Sequence, residues 1–543
     1  MMVVLGIIVF ILILGIIVLI HEGGHFFFAR RAGILCYEFS IGMGPVIYQK
    51  KIGETCYSIR AIPIGGFVSM AGEEIESDPI KGFNYAKLTV NEEGKVVEVY
   101  VLKDLETNFP VDQNIEDFKK IVKYDLVGTK EEQDGELYIE VMENDEVVRY
   151  ELMRNAMIRF NKKEAFQIAP YNRLFVNKTI LQRFLTIFAG PGMNFVLALL
   201  VFFIIGLCTG YSDTKTTILG TVEENTPAYV AGLQEGDKII SIGNSNEFTK
   251  WDDLSSTLDN YAEGKDFNGQ LLVKYERDGK EYTTTINPLV YIQSAYIYFR
   301  PDGSNSLEVS AFPNNNEETP SYIAGLRDGD ILYSVIDDKG VETVFTTRAS
   351  ALDYFNNGRG ADSTKFIIKV VRNLETITLQ PITTYKKQIF EDQGVEVARV
   401  VIGISPRITR NIGRVLWEPV KEVGSSCLVI FKTLGALFQK NSGLGIKDLS
   451  GPVGIASATV SIVEQGPLTI LNWLAVLSVN IGLMNIIPLP ALDGCRIAFL
   501  GYEAITKKKP NPKVENTIHS IGFILLMALF VIVAFNDVLK IFK

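Results

Sequence analysis

The chain has 543 residues, too many for one domain, and 47% of them are hydrophobic against 21% charged. A formal net charge of −10 argues against nucleic acid as a partner. Cys36, Cys56, Cys208, Cys427 and Cys495 form no C-x-x-C pair, which argues against a disulfide framework and leaves five free thiols.

Four apolar stretches, residues 2–25 and about 185–209, 467–490 and 518–536, are long enough to cross about 30 Å of hydrocarbon, which takes roughly 20 helical residues. The first lacks a basic leader and a small-residue cleavage site, so it reads as a retained span. After it, apolar positions alternate through residues 46–49 and 56–61 around Ile52-Gly53-Glu54, the pattern of a β-hairpin followed by a Gly-rich loop. An open strand edge there could accept an extended peptide. Residues 73–165 are acidic, with a second hairpin predicted around the turn 143–146. Beyond span two, residues 226–237 (TPAYVAGLQEGD) recur as 319–330 (TPSYIAGLRDGD), an offset of 93 residues. The pattern P-A-x-x-A-G-L-x-x-G-D-x-I resembles the PDZ domain, a module that binds peptides by strand addition. Residues 415–438 have helical apolar spacing interrupted by charges, which predicts an amphipathic interfacial helix in place of a fifth span.

Basic residues cluster at one side of these spans: Arg30, Arg31, Lys50, Lys51 and Arg60, then Lys178 and Arg183, then Lys507, Lys508, Lys509 and Lys513. The positive-inside rule makes that side cytoplasmic and puts both termini and residues 211–466 outside.

His21-Glu22-Gly23-Gly24-His25 ends the first span. On a helix it turns two imidazoles to one face, where both can reach one zinc, with the intervening Glu placed to act as general base. Ionisable groups at that depth are costly and functional by default. His25 precedes Arg30 by five residues, about 7–8 Å along a helix, so a metal there sits inside the bilayer near its cytoplasmic edge. A hydrolytic zinc site needs a third ligand. His519 is one candidate. Asp493 is the better one, because Pro488 and Pro490 stop the third span before it and leave unwound backbone at a matching depth.

H-E-x-x-H in the first span and Asn485-Ile486-Ile487-Pro488-Leu489-Pro490-Ala491-Leu492-Asp493-Gly494 in a late one resemble the site-2 protease family of intramembrane zinc metalloproteases. The closer likeness is to its bacterial regulator-of-sigma-E protease branch. Phe39-Ser40-Ile41-Gly42-Met43-Gly44-Pro45, residues 63–73, Ala189-Gly190-Pro191-Gly192-Met193-Asn194-Phe195 and Gly451-Pro452-Val453-Gly454-Ile455 match in order. Gly23, in place of a larger residue, and Cys495, in place of a second Gly, depart from the pattern without touching a ligand or the base. The resemblance implies Zn²⁺ held by His21, His25 and Asp493, with Glu22 activating its water. It also implies Asn485 and the Gly42/Gly44 loop as substrate-positioning elements, the loop being membrane-re-entrant.

The expected architecture is a polytopic α-helical membrane protein with four transmembrane helices, a membrane-associated β-hairpin and two extracytoplasmic PDZ-like α+β domains. The expected segments are a first span 1–36, hairpin 37–72, cytoplasmic β-rich insert 73–180 and second span 181–210. PDZ-like domains 211–295 and 296–410, interfacial helix and GPVGI segment 411–466, third span 467–500 and final loop and span 501–543 complete the chain. The resemblance further implies single-span membrane substrates, such as anti-sigma factors or remnant signal peptides, in a bacterial cell membrane, with the PDZ-like modules filtering substrates by ectodomain size. The competing reading is a membrane-anchored peptide-binding scaffold whose zinc site is structural or inactive.

Overall fold

The computed structural model describes residues 2–541 apart from 74–78, 105–116, 132, 134, 162–164, 225, 263–269, 300–305, 310–318, 385, 388–396 and 438–448. In chain order its helices are α1 (Met2–Arg31), α2 (Ile180–Thr209), the short α3 (Pro227–Val230), α4 (Trp251–Ala262) and the short α5 (Pro320–Ile323). They continue with α6 (Arg348–Asn356), α7 (Ile412–Leu437), α8 (Pro452–Glu464), α9 (Pro467–Ile486), α10 (Asp493–Thr506) and α11 (Pro512–Ile541). α1, α2, α9 and residues 513–539 of α11 are long and apolar enough to cross a membrane. The chain divides into one unit of residues 1–201 with 450–543 and a second of 202–449.

In the first unit, α1 is followed by two long antiparallel strands, β1 (Cys36–Ile52) and β2 (Thr55–Met70). Both bend back on themselves, β1 at the positive-φ Gly42 and Gly44 and β2 at the positive-φ Gly65. Residues 38–41 therefore pair on one side with 66–69 and on the other with 56–59, while 46–52 pair with 55–60. The hairpin read from the sequence is only the outer half of this sheet. Its outer half exposes Val46, Ile47, Tyr48, Ile52 and Ile59. Residues 66–70 form the opposite edge and pair with no further strand among the described residues.

The insert holds β3 (Tyr85–Val90), β4 (Val96–Leu102), β5 (Lys119–Asp125), β6 (Tyr138–Glu143), β7 (Glu146–Arg159) and β8 (Ala165–Gln167). The order β4-β3-β5-β6-β7-β8 with a further β4–β7 pairing closes five strands into a ring, which removes most exposed edges. Asn144 and Asp145 both take positive φ between β6 and β7, as a two-residue hairpin turn requires. Glu54 at the β1–β2 turn accepts from Arg173 Nη1 and Nη2 at 2.6 and 2.7 Å and from Gln167 Nε2 at 2.8 Å, tying the hairpin to the lead-in of α2.

Buried polar contacts join the helices of this unit. Arg183 of α2 makes a bidentate pair with Glu503 of α10 at 3.0 and 2.7 Å. Asp537 of α11 accepts the N–H of Gly451 and Gly454 at 2.7 and 2.9 Å, supplying the cap that Gly451 lacks at the start of α8. That capped turn belongs to the GPVGI segment.

In the second unit the sequence repeat is a structural repeat. α3 and α5 each lead through a Gly turn into a strand, residues 238–242 and 331–336 respectively. Asp237 pairs with Arg277 and Asp330 with Arg372, and each Arg also donates to a carbonyl of its own Gly turn, Gly232 or Gly325. The expected linear boundary at 295/296 does not match the strand pairing. Residues 219–222 pair with 404–406, residues 211–212 with 408–409, and 289–292 with 398–401. The second repeat is thus nested inside the first, and one continuous core runs from Leu219 to Ile402. α7 is a 26-residue helix with Leu416, Trp417, Leu428 and Phe431 exposed.

Candidate metal centre

His21 Nε2 and His25 Nε2 lie 3.3 Å apart on one face of α1. Asp493 Oδ2 stands 3.2 Å from the first and 3.3 Å from the second. Tetrahedral zinc with bonds of about 2.0–2.1 Å has ligand–ligand edges of about 3.3–3.4 Å, so these three atoms match one face of such a tetrahedron. Asp493 Oδ2 is buried and makes no hydrogen bond, as suits an atom that ligates a cation. Among the described residues no other group of three His, Cys, Asp or Glu side chains meets in this way.

α2 supports the histidines. His25 Nδ1 lies 2.8 Å from the Thr186 carbonyl, an acceptor only, so Nδ1 carries a ring proton and Nε2 is the nitrogen left to ligate a metal. His21 Nδ1 lies 3.2 Å from the side-chain amide of Asn194. Close approach of the two helices depends on glycine: a Cβ on Gly190 would collide with the His25 ring, and one on Gly24 with the Ala189 carbonyl. Gly23 has open space around it.

Asp493 does not lie on unwound backbone, as the sequence reading had it. α9 stops at Ile486, residues 487–492 form the non-helical link, and Asp493 is the first residue of α10. Pro488 and Pro490 have no N–H to extend α9, and Ala491 turns the chain with φ 74°. His519 stands outside the three-residue group; its Nδ1 accepts the Ala491 N–H at 3.2 Å, so it braces the link that delivers Asp493. A Cβ on Gly494 would collide with the Ile486 carbonyl, which accounts for glycine after the aspartate.

A cavity of about 680 Å³ contains Glu22 with His21, His25 and Asp493. Asn485 lines it, as do Met43, Gly65, Gly66, Phe67, Val68 and Met70 of the strands. Gly42 and Gly44 do not line it; they are the bends on either side of Met43, which does. A Cβ on Gly66 would lie 2.9 Å from Glu22 Cγ, so the edge strand runs directly against the candidate base. Sequence reasoning missed Thr186 and gave no role to Gly190 and Asn194, which it had only as part of a matched segment. Thr186 acts through its carbonyl and leaves no side-chain signal, whereas a buried Asn in an apolar span was visible as an unexplained polar residue.

A polytopic membrane protein with two imidazoles, a carboxylate and a second carboxylate in one membrane-helix cavity is of the metallohydrolase class. The model of peptidase family M50 matches residues 9–529, and the chain belongs to that family. It is similar to zinc metalloprotease RasP of Geobacillus kaustophilus (strain HTA426), 30% identical over 99% of this chain and 98% of that protein. It is equally similar, at 30%, to zinc metalloprotease RasP of Shouchella clausii (strain KSM-K16), over 98% of this chain and 99% of the relative. A provisionally named zinc metalloprotease of Staphylococcus aureus (strain MSSA476) is 31% identical over 99% of this chain and 98% of its own length. The chain is accordingly a membrane zinc metalloprotease.

Proposed function

We propose that the chain is an intramembrane endopeptidase that cuts single-span membrane proteins, with His21, His25 and Asp493 as its zinc ligands and Glu22 as its base. The observation that carries this reading is the triangle of ligand atoms, 3.2, 3.3 and 3.3 Å on a side, two of them on a helix apolar enough to span a bilayer. Zinc held there would supply Lewis acidity that brings the pKa of a coordinated water to about 7. The Glu22 carboxylate takes the water proton and hands it to the leaving amide nitrogen.

A substrate helix hides its carbonyls in its own hydrogen bonds, so it must unwind before attack. Residues 66–70 offer an unpaired strand edge in the cavity, suited to hold the unwound segment as an added strand. Gly42 and Gly44 would position substrate by holding Met43 beside that edge, and Asn485, which lines the same cavity, would hydrogen-bond substrate backbone. The basic residues beside the spans favour a cytoplasmic hairpin and insert, with residues 211–410 outside. A cavity of about 350 Å³ between α4 and residues 399–404 supports the PDZ-like reading of that segment. Anti-sigma factors and remnant signal peptides are the substrate types in view.

The test uses full-length protein in detergent with a tagged single-span substrate, compared with Glu22→Gln. The expected result is cleavage by the parent and none by Glu22→Gln, with zinc content equal in both. Equal cleavage by the two, or none by a zinc-loaded parent, would favour a scaffold with a structural metal.

A further inference from the structure

Asn194 is fully buried in α2, and the contacts around it hold it in place. Its carbonyl accepts from Ser478 Oγ of α9 at 2.8 Å. Gly482, one turn further along α9, leaves so little room that a Cβ there would lie 3.1 Å from Asn194 Cβ. The backbone at Asn194 is therefore set by helix packing, and the side chain is directed at His21.

The amide stands with Nδ2 3.2 Å from His21 Nδ1, while its Oδ1 is buried without a hydrogen bond. A metal-bound Nε2 requires the ring proton on Nδ1. Two N–H groups would then face each other, each without an acceptor. A half-turn about the Cβ–Cγ bond of Asn194 exchanges the amide ends and presents Oδ1 to the Nδ1–H. The matching contact already exists at His25, whose Nδ1 meets the Thr186 carbonyl from the same helix. Such partners fix the tautomer and ring orientation of ligating histidines and raise their basicity.

We propose that Asn194 is a positioning residue for the metal site: its Oδ1 accepts the Nδ1–H of His21 and holds that imidazole in the zinc-binding tautomer. The proposal rests on the assignment of His21 as a zinc ligand. It requires an acceptor at this place, which an aspartate also supplies and an isosteric leucine does not.

The experiment is zinc affinity of the full-length protein in detergent, measured by competition with a chelating indicator, for the parent, Asn194→Leu, Asn194→Asp, Ser478→Ala and His21→Ala. Asn194→Leu should bind zinc about 10–100-fold more weakly. Asn194→Asp should bind with near-parental affinity. Ser478→Ala, which loosens the same packing without touching the imidazole, should also stay near the parent. Parental affinity in Asn194→Leu overturns the proposal. So does a loss in Asn194→Asp as large as in Asn194→Leu, or an equal loss in Ser478→Ala, since either assigns the effect to packing. His21→Ala separates the two levels: if it keeps parental affinity, the ligand assignment itself fails. If it loses zinc while Asn194→Leu does not, only the role of Asn194 falls.

Discussion

Gly23 and Gly24 are neighbours in the sequence and opposite in consequence. Gly24 touches the Ala189 carbonyl across the α1–α2 contact, and Gly190 answers it beneath the His25 ring, while Gly23 faces open space. Overpacking of this kind costs about 1–3 kcal/mol. Gly24→Ala and Gly190→Ala are therefore expected to lower both zinc content and thermal stability, and Gly23→Ala to change neither. Metal analysis and melting in detergent check this. The two histidines, Glu22 and Asp493 were legible because each is a costly polar group in an apolar setting. The glycines were visible as a departure and as part of a motif, but their role in the helix contact was not. What distinguishes the two residues lies on another helix, more than 150 positions away.

Single elements were read well where the chain alternates or stops. The turn near Gly53 and the break at Pro488 both follow from local chemistry. The double pairing of residues 38–41 did not, because it depends on bends at Gly42, Gly44 and Gly65 that place distant strand halves side by side. The site lost most by this: the edge against Glu22 is residues 66–70, and the predicted hairpin is its far side. Glu54 anchors that far side. Its hydrogen bonds from Arg173 hold its carboxyl at about 2, below the ordinary 4.5. A depressed carboxyl stabilises the fold fully above its unfolded value and loses that contribution as pH falls through its folded value. Glu54→Gln is thus expected to melt below the parent at pH 6 and to converge with it towards pH 2. Solvent exposure limits the difference to about 1 kcal/mol or less. A gap that widens on acidification would refute the pairing.

The whole molecule divides into two units, and the nesting within the second was invisible in the sequence. The 93-residue repeat marks the second copy but carries no sign that residues 398–409 return to pair with the first. Residues 211–410 are expected to unfold cooperatively as an isolated piece, since they contain the whole core from Leu219 to Ile402. Residues 211–295 alone lack the returning strands and should show no cooperative transition by circular dichroism. A cooperative transition in the shorter piece would restore the linear boundary.

At the scale of the whole molecule, the proposal to be tested first is hydrolysis at a metal inside the bilayer. The most direct measurement is the mass of the products released from a single-span substrate by the full-length protein, with Glu22→Gln alongside. The expected result is a cut within the apolar segment, towards its cytoplasmic end, and intact substrate with Glu22→Gln. A cut confined to the soluble flanks, or the same products from Glu22→Gln, would contradict it.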